Sequence, residues 1–98
     1  MAKFDVFRLR EGSLVVDCQA DLLDTLATRM VAPLLPVGGE IPPMPRLNPI
    51  FEVEGESYYI LTQSLASVPT NELKVKVTSL ADHDLAIGNA LDMLISGF

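Results

Sequence analysis

Apolar and polar residues follow one another in short runs over most of this chain, and only its closing stretch has a helical rhythm. "FDVFRLR" (Phe4 to Arg10) and "LVVDC" (Leu14 to Cys18) flank Glu11-Gly12-Ser13. Two short β-rich runs around a glycine turn predict an antiparallel hairpin. "QADLLDTLATR" places Leu22, Leu23 and Leu26 among Asp and Thr; it reads as a loop or single turn that displays Leu22 and Leu23. "MVAPLL" returns to strand, and Pro33, which has no N–H to give a ladder, predicts an edge strand or a bulge. The clearest hairpin is "IFEVEGESYYIL": Phe51 and Val53 alternate with Glu52 and Glu54, Gly55 supplies the turn, and Tyr58 to Leu61 return. That return strand is apolar on both faces, as expected of a central strand or of one packed on another subunit.

"SLASVPTNEL" carries no periodic signal and reads as irregular, while "KVKVT" reads as a short strand with one wet face. In "SLADHDLAIGNALDMLISGF", Ser79 is a fitting N-cap and Asp82 follows at capping-box spacing. Leu80, Ile87, Leu91 and Leu94 share one stripe, which Ala90 widens. Gly88 inside the helix is expected to allow a close approach, and Gly97 to stop the helix. The expected fold is therefore mainly β (α+β): five or six short antiparallel strands, then one C-terminal helix.

Six of the seven prolines, with Gly38-Gly39, lie between Pro33 and Pro49. Proline fixes φ and glycine frees it, so this stretch is a shaped surface loop inserted between strands. It is not a linker, because too little chain flanks it for two domains. At 98 residues the chain reads as one domain, 1–98. Such a chain buries somewhat over ~60% of its unfolded surface. Its hydrophobic share of 49% suggests that some apolar surface is buried between subunits.

A formal charge of −6, from 13 acidic and 7 basic residues, repels phosphate backbones. With no Lys/Arg cluster in the sequence, direct nucleic-acid binding is not expected, and a protein partner with a basic patch is. The single cysteine, Cys18, excludes an intrachain disulfide and reads as a small buried hydrophobe. "MAKFDVF" has no apolar leader core and no run approaches the ~18 apolar residues of a span, so a cytoplasmic protein is expected.

Enzyme signatures are absent: no P-loop, no dinucleotide fingerprint, no H-E-x-x-H and no C-x-x-C. Asp17, Asp21 and Asp24 are close in sequence but read as solvated loop acids, and His83 as an exposed residue of the first helical turn. Ser64 and Ser67 have no evident base, and Tyr58 and Tyr59 read as packing rings. No catalytic residue, metal site or cofactor is expected. From chemistry alone the chain is a binding module.

"VVDCQADLLDT", "RMVAPL", "IFEVEGESYYILTQSLASVP" and "NALDMLISGF" stand in an order and at distances that resemble one family, the CcdB-type toxins of bacterial toxin–antitoxin modules. The resemblance covers nearly the whole chain and is weakest over Pro36 to Arg46 and Thr70 to Lys76. It implies a small antiparallel, SH3-like barrel sheet with a C-terminal helix, associating as a homodimer. It implies binding to the A subunit of DNA gyrase, trapping of the gyrase–DNA cleavage complex, and neutralisation by an antitoxin through a disordered C-terminal segment. The gyrase-binding positions carried over are Leu22, Leu23, Asp92, Ile95, Ser96, Gly97 and Phe98. Ser96 departs from the family, whose well-known members place a Trp before the Gly; a buried interfacial Trp is worth ~2 kcal/mol or more on truncation. Two alternatives stay open. One is a non-toxic or retargeted homologue that binds only an antitoxin-like peptide, docked on the "KVKV" edge or the proline-rich loop. The other is a ribonuclease toxin on the same kind of barrel, for which Arg29, Arg46 and His83 are the only tempting residues.

Overall fold

The computed structural model describes residues 2–97; Phe98, the terminal aromatic carried over from the family, lies outside them. Seven strands make one antiparallel sheet: β1 (Asp5–Arg8), β2 (Leu14–Asp17), β3 (Thr28–Pro36), β4 (Ile50–Val53), β5 (Glu56–Ile60), β6 (Ala66–Pro69) and β7 (Val75–Ser79). The order is β4-β5-β3-β2-β1-β7, with β6 paired to the first half of β3. Among the described residues a single α-helix, α1 (Asp84–Ser96), follows the strands. The mainly β architecture with a C-terminal helix is the one the sequence predicts. The sheet curls into a half-barrel. Three strand spacings of ~4.8 Å separate β1 from β5 along the sheet, yet Arg8 Nη2 meets Glu54 Oε1 of the β4–β5 turn at 2.5 Å.

Period-two alternation sends side chains to two faces, and both are covered. Phe4, Val6, Leu14, Val16, Ala32 and Leu34 join Ile60 and the helix residues Leu80 and Ile87 in the larger core. The intervening Phe7, Val15 and Val31 pack with Leu73 on the opposite face. This explains why β1 and β2 read as near-continuous apolar runs. The β4–β5 turn is a two-residue connection with positive φ at both Glu54 (53°) and Gly55 (81°), the geometry that matches strand twist.

Several expectations are corrected. Pro33 lies in β3, a central strand and not an edge. Its carbonyl accepts from Leu61 N at 2.9 Å, so its N–H side faces the gap where β3 changes partner from β6 to β5. A missing donor costs no ladder bond at that seam. "SLASVP" is not irregular: Ala66–Pro69 pairs with Thr28–Val31. It is mostly exposed and carries no alternation, so only its backbone marks it as a strand. β7 is the terminal strand, and its register slips opposite Val6/Phe7. That bulge turns Val77 towards the larger core and leaves Val75 exposed.

Ser79 Oγ accepts from Ala81 N at 3.1 Å, which caps a 3₁₀ turn (Ala81–His83) and not α1 itself. The α-helix starts at Asp84, with the His83 ring 4.6 Å from the Phe51 ring. Ile87 and Ala90 are buried and Leu91 half-buried, whereas Leu94 has run past the sheet and is exposed. Gly88 makes no close approach, since a Cβ there would meet nothing within 4 Å. Among the described residues no helix is long and apolar enough to cross a membrane.

The proline-rich loop starts later than expected, because Pro33 to Pro36 belong to β3; the remaining loop, 37–49, is fixed by side chains. Asn48, buried, donates from Nδ2 to Ile60 O (3.0 Å) and Gln63 Oε1 (2.8 Å), and its Oδ1 accepts from Met44 N (2.9 Å). Tyr59 OH donates to Ile41 O at 2.6 Å.

Candidate functional site

The connection from β2 to β3 contains one 3₁₀ turn, Asp21–Leu23, with no buried residue. Leu22 is 90% exposed and Leu23 is also largely open. Apolar packing therefore does not hold this turn; a polar network beneath it does. Asp17 and Arg29, the flanking residues of the two strands, are 0% and 1% exposed. Asp17 Oδ2 accepts from Arg29 Nε (2.8 Å) and lies 2.6 Å from Nη2 in the ion pair, and Asp17 Oδ1 accepts from Gln19 N (3.0 Å). Gln19 bridges outward: its Oε1 accepts from Met30 N at 3.1 Å and its Nε2 donates to Leu23 O at 3.0 Å. Asp21 Oδ1 accepts from Lys3 N at 2.7 Å and lies 4.0 Å from Arg29 Nη2. The displayed leucines are thus tied to a buried ion pair through one glutamine.

The second displayed feature is the end of α1. Ile95 is 77% exposed, and Asp92 and Ser96 are open to solvent. Gly97 takes the left-handed conformation (φ 77°) and its N–H donates to Met93 O at 3.0 Å, the helix stop the sequence predicts. No hydrogen bond among the described residues joins this end to the Leu22–Leu23 turn. α1 rests instead on the larger core and on the 3₁₀ turn Thr62–Ser64. Of the seven carried-over positions, six are exposed in two separate places, and Phe98 is outside the described residues.

Other sequence candidates resolve differently. Asp17 is not a solvated loop acid, because it is sealed against Arg29; Asp21 and Asp24 are exposed as expected, with Asp21 also accepting from the Lys3 N–H. Among the described residues no cluster of three or more His, Cys, Asp or Glu is placed to hold a metal. Arg29 is sealed in its ion pair and cannot reach a phosphate. Cys18 is partly buried; burial first, and then the Asp17 charge, push its thiol up to about 12, so it stays protonated. The network under the turn was not anticipated. Its signal was an Asp inside the apolar run "LVVDC": a charge in a strand buried on both faces needs a partner.

The CcdB protein family matches residues 3–97. The chain belongs to the CcdB family. It is thereby a member of a family of toxins from toxin–antitoxin modules, in which an antitoxin is the partner. Among solved structures, a crystal structure of an Mtb toxin superposes with a TM-score of 0.74 at 12% identity, covering 92% of this chain and 99% of the other. The Mycobacterium tuberculosis toxin MazF-mt6 superposes with a TM-score of 0.71 at 13% identity, covering 92% of each chain. At these identities the likeness is one of fold.

Proposed function

We propose that this CcdB-family protein poisons DNA gyrase in the cytoplasm by binding, without catalysis of its own. In this reading two chains associate as a homodimer. The Leu22–Leu23 turns and the ends of α1 then form one apolar patch that engages the gyrase A subunit and traps its cleaved DNA complex. A cognate antitoxin releases it. The observation that carries the reading is the bareness of Leu22 and Ile95, at 90% and 77% the two most exposed large apolar side chains among the described residues. Gly97 supports it, because its left-handed φ lets the chain leave the helix and present Phe98 as an aromatic anchor.

Ser96 favours a second reading, a family member that keeps antitoxin binding but has lost or changed its topoisomerase target. It offers far less contact area than the family's Trp.

The test is a cleavage assay with purified protein, gyrase, ATP and supercoiled plasmid. Gly97→Arg and a gyrase-free lane run alongside. A Cβ at Gly97 meets nothing within 4 Å, so the variant acts at the helix exit, through its bulk and through the strain of a side chain at φ 77°. Linear DNA that needs gyrase and is lost in the variant is the expected result. No cleavage by a folded dimer, with topoisomerase IV also unaffected, would replace this reading with the second one. Cleavage of added RNA by the protein alone would replace both with a ribonuclease.

A further inference from the structure

The Leu22–Leu23 turn lies at one end of the β1–β2 hairpin; the opposite end carries a different kind of surface. β7 is the terminal strand, and among the described residues no backbone hydrogen bond is made on its outer side. Val75, at its start, is 57% exposed on this free edge. The edge runs into a cleft of about 650 Å³ between the β1–β2 loop and the segment before β7. Arg8, Arg10 and Lys74 line the cleft around the apolar Leu9 and Val75. The charge there is inverted relative to the molecule. The cleft collects three of the seven basic residues but two of the thirteen acidic ones, Glu11 and Glu72; Lys76, next to it on β7, is paired with the buried Asp5 at 3.4 Å. Glu11 is moreover engaged by the Ser13 hydroxyl, and Arg8 by Glu54.

We propose that the β7 edge and this cleft dock an extended acidic peptide by strand addition. An unpaired edge supplies main-chain donors and acceptors, and alternate side chains set specificity. Edge lysines ordinarily guard against pairing with a second copy, because like charges face each other. The same Lys74 therefore disfavours this chain's own "KVKV" edge and admits a strand with Glu or Asp opposite it, whereas Lys76 is already paired with Asp5. A nucleic acid fits less well: it has no strand to add, and the net charge of −6 repels a long phosphate chain. Naming the acidic strand as the antitoxin's C-terminal segment rests on the proposed function. The docking itself does not.

The probe is a fluorescein-labelled nine-residue peptide alternating Glu with Val, titrated into the ¹⁵N-labelled full chain. A Lys-for-Glu counterpart and oligo(dT)₁₅ are the controls. Saturable binding, with shifts on Val75 to Ser79 and on Leu9, is expected. Arg10→Glu/Lys74→Glu should weaken it at least tenfold, and the Lys peptide should not bind. Shifts confined to other elements, no saturation, or equal binding of oligo(dT)₁₅ would overturn the proposal. Arg10 and Lys74 lie at the loop end of the β1–β2 hairpin, opposite the Leu22–Leu23 turn. The double variant should therefore retain whatever gyrase cleavage the natural protein has. Loss of peptide docking and loss of the gyrase reading are then separate results.

Discussion

Replacing Arg29 by Met removes one half of an ion pair that water does not reach. Asp17 and Arg29 are 0% and 1% exposed, and Asp17 Oδ2 would lose its hydrogen bond from Nε at 2.8 Å and its ion-pair contact with Nη2 at 2.6 Å. Only the Gln19 N–H, on Oδ1, would remain. Stranding a buried charge in this way costs about 3–5 kcal/mol. A small domain has a total stability of about 5–15 kcal/mol, and each kcal/mol shifts Tm by about 4–8 °C at this size. Arg29→Met should therefore lower Tm by at least about 12 °C. The complementary variant Asp17→Leu/Arg29→Met removes both charges. It should return to within about 1 kcal/mol of the natural protein or exceed it, because buried pairs replaced by apolar residues are often neutral or stabilising. Arg29 Nη1 already lacks a hydrogen-bond partner, which lowers what the native pair contributes. Urea unfolding by far-UV circular dichroism reads both variants, the chain having no Trp. Several protein concentrations separate subunit dissociation from unfolding. A loss below about 1 kcal/mol for Arg29→Met alone would mean that water enters beneath the turn, and the reasoning would fail.

Gly88→Ala should stabilise the chain by up to ~1 kcal/mol, since it relieves a mid-helix glycine and its Cβ meets nothing within 4 Å; a lower urea midpoint would refute this. Cys18 should resist Ellman's reagent at pH 8 in the folded state and react at once in urea. With its thiol pushed up to about 12 from 9.0 it carries on the order of a thousandfold less thiolate. The same shift makes stability fall as pH rises above the unfolded thiol's value of about 8.5 and towards the folded one. Fast native-state labelling, or no such fall, would show that Cys18 is open to solvent.

The parts of the fold legible in the sequence are those whose signal is local. Gly55 between alternating strands, and Gly97 after an apolar stripe, each encode their own geometry. Leu22 and Leu23 were legible as displayed residues because Asp and Thr surround them. Pro33 misled because the rule against proline in central strands assumes a continuous neighbour. β3 instead has two successive neighbours, and the proline sits at the seam. That seam exists only because "SLASVP" forms β6, a strand made visible by its partner and not by its own residues. Gly88 was read as a contact and is a solvent-side position. Along a helix, a glycine kept for packing and one that merely costs helix propensity look the same.

The Asp17–Arg29 pair connects these local readings to the candidate site. A turn that displays leucines cannot also bury them, so packing cannot define where it sits; the 3₁₀ turn Asp21–Leu23 has no buried residue at all. Hydrogen bonds must do so, and bonds to a solvated anchor would let the turn drift. Gln19 instead ties Leu23 O and Met30 N to a carboxylate and guanidinium that are sealed in the sheet. A buried charge pair is a poor source of net stability but a directional one, since misplacing either group is costly. Its place at the root of the most exposed apolar turn is what a preorganised binding surface requires: the leucines wait in position, and less ordering entropy is lost when a partner covers them. Among the described residues, the bond recorded at the helix end is that of Gly97 N–H to Met93 O. If the patch works as proposed, the Leu22–Leu23 turn is the half of it that the fold holds in place before a partner arrives.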